Sequence, residues 1–128
     1  MPEIVPLKEF YKDTERLAKR FPNIEADLEV FKKALMTEMA PDGLKIVGRE
    51  RGRIQGAERI KNLGKVSGAI YKAKRFMSTD LHATDRVRVI YAYECEADKC
   101  TLIEIYFKGD NRDIEDRQRI YKYFGQKA

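Results

Sequence analysis

The sequence predicts an α+β fold: an N-terminal helical hairpin packed on a small curved antiparallel β-sheet, closed by a C-terminal helix. Three observations carry this. Apolar residues recur every three or four positions up to residue 39. The pattern switches to strict alternation from about residue 68. It returns to helical spacing after residue 112. At 128 residues the chain is the length of one domain. We expect one unit, with residues 7–40 as the hairpin, 68–108 as the sheet and 112–124 as the last helix.

The elements follow in order. Over residues 7–20, Phe10, Leu17 and Phe21 stand near helical spacing with charge between them, and Pro22 stops the helix. Asn23 is placed to cap the next one. There Ile24, Leu28, Phe31, Leu35 and Met39 form one apolar stripe, ended by Pro41-Asp42-Gly43. Both stripes read as core. Residues 44–47, LKIV, suit a short strand. The run GRERGRIQG then reads as an irregular basic loop. Its glycines are no phosphate loop, because no Gly-Lys-Ser/Thr follows. Arg49, Arg51 and Arg53 are either phosphate contacts or a solubilising loop.

Three strands come next, at Ala69–Phe76, Arg86–Cys95 and Cys100–Lys108, the last two joined by a tight turn through Glu96–Lys99. In the terminal segment DIEDRQRIYKYF, the apolar side holds Ile114, Ile120, Tyr121 and Phe124.

Charge is unevenly spread. Residues 45–76 hold 10 Lys/Arg against 2 Asp/Glu, whereas 1–44 hold 7 against 9 and 77–128 hold 9 against 10. The whole net excess of +5 thus comes from one segment. It is either a solvated basic face or the footprint of a polyanion, most often nucleic acid. No uncharged run exceeds the six residues Val66–Tyr71, too few to span a bilayer. No apolar leader pattern opens the chain, so a cytoplasmic location is expected. The spacing of Cys95 and Cys100 places them face to face across the tight turn; it permits a disulfide, and a reducing compartment favours free thiols instead. Two cysteines without clustered histidine make no zinc site. The lone His82 reads as a surface residue.

Alternation sorts the strand residues onto two faces. Val87, Val89, Tyr91 and Tyr93 share one face and are expected to join Ile103, Ile105 and Phe107 under the helices. The other face gathers Arg86, Arg88, Glu104, Tyr106 and Lys108, and Lys72 and Lys74 of YKAK join it if the first strand is turned the same way. Lys72 and Lys74 stand about 7 Å apart along the strand. Two like charges so close disfavour one another, which suits a lysine to accept a proton. Arg88 offers a permanently charged fork for phosphate, and Glu104 and Tyr106 are possible proton carriers. This set suits attack of an RNA 2′-hydroxyl on its own phosphodiester without metal or other cofactor. The plainer alternative is a polar sheet face with cross-strand Lys–Glu pairs.

The order of elements, together with YKAK, RVRVIY and LIEIYFKGDNRDIEDRQRIYKYF, resembles the RelE/ParE toxin superfamily. The likeness covers most of the chain through short motifs. It implies catalytic lysines at Lys72 and Lys74, a catalytic arginine at Arg88, and a further basic residue at Lys108 or Arg112. It also implies a terminal-helix tyrosine, Tyr121 or Tyr123. With Glu104, Lys72, Lys74, Arg88 and Tyr121 form the expected catalytic set, while Arg75, Arg86, Tyr106, Lys108 and Arg112 are the expected RNA contacts. The implied protein is the toxin of a type II toxin–antitoxin system, a ribosome-dependent mRNA endonuclease that inhibits translation. Its implied partners are the ribosome, mRNA and a cognate antitoxin, with assembly as a homodimer or a toxin–antitoxin hetero-oligomer. Two alternatives stay open: a ParE-type inhibitor of gyrase, and a basic nucleic-acid-binding protein without catalysis. The chain is longer than usual for RelE-type toxins, through residues 45–64 and 77–85.

Overall fold

The computed structural model describes residues 3–39, 54, 57–60, 69–74, 87–94, 97–108 and 116–127. Strand β1 (Glu3–Pro6) leads into helix α1 (Lys8–Ala18) and helix α2 (Ile24–Met39). Strands β2 (Ala57–Arg59), β3 (Ala69–Ala73), β4 (Val87–Glu94) and β5 (Lys99–Phe107) follow, then helix α3 (Arg117–Lys127). The α+β class is as expected, with helices at both ends of the sequence. The sheet has five strands in the order β1-β5-β4-β3-β2. It is mixed, because β1 runs parallel to β5 while the other pairs are antiparallel. None of the described helices is long and apolar enough to cross a membrane.

The hairpin forms for the reason its stripes suggest. Phe10 and Leu17 of α1, Phe21 of the turn, and Ile24, Leu28, Phe31 and Leu35 of α2 are all buried in one cluster. They pack on Tyr71, Val87, Val89, Tyr91, Leu102, Ile105 and Phe107. Arg20 covers this corner, its guanidinium 4.7 Å from the Phe107 ring centre and 5.1 Å from that of Phe21. Helix α3 occupies the opposite face, where Ile120 and Tyr123 pack on Ile70, Ile90, Ala92, Ile103 and Tyr106. The sheet is therefore sandwiched, and its two faces have separate cores.

The β4–β5 register slips between Ile90 and Tyr91: Ile90 pairs with Glu104, but Tyr91 pairs with Leu102. Ile103 is the extra residue of a β-bulge. The bulge corrects the alternation expected for β5. Ile103 joins the α3 face, while Leu102 and Cys100 lie beneath the helical hairpin. The register also places Tyr93, not Cys95, opposite Cys100. Cys100 is a buried free thiol, and burial pushes its pKa up. The turn closes through Asp98, whose φ of +49° is a left-handed conformation that Asp tolerates.

Strand β5 is longer than its neighbour β1, whose pairing stops at Pro6–Leu102. Side chains bind two backbone groups beyond that point. Asp13 of α1 accepts the Ile105 N–H (3.3 Å), and Arg119 of α3 donates to the Ile103 carbonyl (3.2 Å). Arg119 also grips Asp13 at 2.5 Å. One ion pair thus stitches α1, β5 and α3 together around the sheet edge.

Candidate functional site

The register fixes which residues share the α3 face. Glu58 of β2, Lys72 of β3, Ile90 of β4 and Glu104 of β5 form one row across four strands. In the next row Arg88 pairs with Tyr106, and the Ala73–Val89 pairing, continued by one residue, sets Lys74 opposite Arg88. Lys72, Lys74, Arg88, Glu104 and Tyr106 therefore lie on one face.

Their surroundings differ. Lys72 and Arg88 are half-buried, and Tyr106 is buried. Lys74 and Glu58 are largely exposed and form an ion pair. That carboxylate offsets the repulsion between the two lysines that the sequence led us to expect. Arg88 donates long hydrogen bonds to the Lys74 and Val87 carbonyls, at 3.5 and 3.4 Å. Bonds at this length are weak, and they set the guanidinium over the end of β3.

Glu104 is only 1% exposed. Its Oε1 accepts the Asp116 N–H at 2.9 Å, and Asp116 Oδ1 accepts the Arg119 N–H at 3.2 Å. Asp116 is thus the N-cap of α3, and Glu104 anchors that cap while setting a carboxylate at the positive end of the helix.

The terminal-helix tyrosines are separated. Tyr123 faces the sheet, sharing a hydrogen bond with Thr101 (3.0 Å) and donating one to Glu94 (2.9 Å). Thr101 pairs with Ala92, four residues along β4 from Arg88, a distance of about 13 Å. Tyr121 is 40% exposed and does not belong to the apolar side of α3, which comprises Ile120, Tyr123 and the half-buried Phe124. The chain folds this way because α3 begins at Arg117, so its sheet-facing positions are 120 and 123. Lys108 is exposed in the turn after β5. Arg75, Arg86 and Arg112 lie outside the described residues, as do Arg49, Arg51, Arg53, His82, Cys95, Ile114 and residues 44–47.

Two features escaped the sequence reading. Glu58 lies in a three-residue strand, too short for alternation to reveal. The Asp13–Arg119 pair joins residues 106 apart. Burial alone would lower the pKa of Arg119. The Asp13 hydrogen bond and charge, with Glu104 and Glu9, outweigh it and hold the guanidinium above its ordinary range.

No protein-family model matches the chain. No curated protein sequence matches it either.

Proposed function

We propose that this protein is a RelE-type, ribosome-dependent mRNA endonuclease, the toxin of a toxin–antitoxin pair acting in the cytoplasm. One observation carries the reading: the sheet register lines Lys72, Lys74, Arg88 and Tyr106 on one face, with Lys74 opposite Arg88. These residues span three adjacent strands, β3, β4 and β5, roughly 5 Å from one to the next, which supports reading them as proton carriers beside a phosphate fork.

The reaction needs only side chains. Lys72 or Lys74, as the general base, takes the proton of an RNA 2′-hydroxyl, and the oxygen attacks the adjacent phosphorus. The P–O5′ bond breaks, the other lysine protonates O5′, and the products carry a 2′,3′-cyclic phosphate and a 5′-hydroxyl. Arg88 stabilises the charge that grows on the non-bridging oxygens. The exposed Glu58–Lys74 pair is weakly held, so an incoming phosphate can compete for Lys74. Glu104, engaged with the α3 cap, acts as a positioning residue that holds α3 on the same face.

The test is a purified system of programmed ribosomes. We expect cleavage of the bound message with 2′,3′-cyclic ends, and none when the attacking 2′-hydroxyl is replaced by hydrogen. Inhibition of gyrase with intact messages would replace this reading with the ParE-type one.

A further inference from the structure

Helices α1 and α3 border a half-open groove of about 360 Å³, whose lining includes none of Lys72, Lys74 and Arg88. Lys8 and Lys12 line it from α1, Arg119 and Lys122 from α3, and Glu9 is its acidic member. Leu7 and Tyr123 add apolar surface. Glu9 is already engaged: its Oε2 lies 3.1 Å from Arg119 Nε, an ion pair not aligned as a hydrogen bond, and its Oε1 lies 3.5 Å from Lys122. Asp13 is likewise taken by Arg119 and the Ile105 N–H. Lys8 and Lys12 are exposed and make no ion pair among the described residues. They are one helical turn apart, so their side chains rise from the same flank of α1, with Cβ atoms about 5–6 Å apart. Four cations thus meet two carboxylates that are both already partnered. Counting charge along the chain hides this, because residues 1–44 are acidic overall.

We infer that the α1–α3 groove binds the phosphodiester backbone of RNA, with Lys8 and Lys12 contacting successive phosphates. Two ammonium groups on one rigid flank, without an ion pair among the described residues, offer point charges of the kind phosphate takes. Assigning RNA, and no other polyanion, rests on the nuclease reading above. The groove would hold a stretch of RNA away from the bond being cut. It therefore contributes to affinity, and cleavage chemistry does not require it.

The experiment is fluorescence anisotropy with a labelled 20-nucleotide single-stranded RNA, across a salt series, on the full chain and on its Lys8→Gln/Lys12→Gln variant. Both positions are exposed, and a matching thermal melt confirms the variant's fold. Each phosphate contact on a single strand contributes roughly 0.7 to the slope of log K against log salt. Loss of two contacts lowers the slope by about 1.4, and weakens binding on the order of tenfold near 0.15 M salt. An unchanged slope and affinity would overturn the assignment. Equal RNA binding, but loss of binding to poly-glutamate in the variant, would overturn it in favour of an acidic peptide. Cleavage on programmed ribosomes is scored in parallel. A wild type that cleaves nothing but shows the tenfold difference defeats the nuclease reading and keeps the groove. A wild type that cleaves, with a variant that binds as tightly, does the reverse.

Discussion

Replacing Asp13 with alanine tests the lock that holds both helical layers on the sheet. The Asp13 side chain is 3% exposed. It accepts the Ile105 N–H at 3.3 Å, Arg119 at 2.5 Å and Arg16 at 2.7 Å. The Arg16 share is small, since that side chain is 68% exposed. The Arg119 share is large, since its side chain is 15% exposed and loses its main counter-charge. Removing one partner of a buried pair costs about 3–5 kcal/mol. Arg119 keeps Glu9 and the Ile103 carbonyl, which favours the lower end, about 3 kcal/mol. For a chain of this length that is a fall in Tm of roughly 10–15 °C. The assay is urea unfolding beside a thermal melt, with Arg16→Ala as a control expected within about 0.5 kcal/mol of wild type. The Asp13→Leu/Arg119→Met double variant should lose less than the single changes summed, because it leaves no unpaired charge. A loss below about 1 kcal/mol for Asp13→Ala would refute the reasoning, since it would mean that water already serves the edge of β5.

Asp116→Ala removes the α3 cap and should cost about 1 kcal/mol in the same urea assay. The Cys100 thiol, raised by burial from an ordinary value of 9.0, should resist thiol reagents in the native state at pH 8 and label only as fast as the protein unfolds. In a Cys95→Ser background this is read directly, and rapid native labelling would contradict the burial. Because the folded thiol holds its proton more tightly than the unfolded one, its contribution is complete below about pH 9 and is lost as pH rises further. Cys100→Ser should flatten that alkaline decline. The Lys72→Ala/Lys74→Ala double variant should fold within about 1 kcal/mol of wild type, because Lys74 is exposed and its pair with Glu58 is a surface one. It should lose message cleavage by at least 10²-fold if the lysines carry the protons.

The sequence made α1 and α2 legible because each has a single apolar stripe that the structure buries. Strands β3, β4 and β5 were legible because Val87, Val89, Tyr91 and Tyr93 alternate cleanly. Strand β1 was not: four residues ending in Pro6 carry no alternation, and the parallel partner lies some 96 positions away, as at Glu3–Lys99. The bulge at Ile103 inverted half of β5, since no local signal separates Leu102 from Ile103, both apolar. In the segment before α3, several polar residues could cap a helix, and the choice of Asp116 depends on Glu104, twelve residues earlier. On the candidate face, alternation along β4 and β5 grouped Arg88 with Glu104 and Tyr106, but Lys72 joined them only through the β3–β4 register, which the sequence left open. The Glu58–Lys74 pair was not legible, because it depends on how β2 docks.

The most direct measurement is to induce the protein in a host cell beside its Arg88→Ala variant and to map the 5′ ends of translated messages. Growth arrest with new cuts inside ribosome-bound codons, absent in the variant, is the predicted result. Equal cutting by both proteins, or arrest with every message intact, would contradict it.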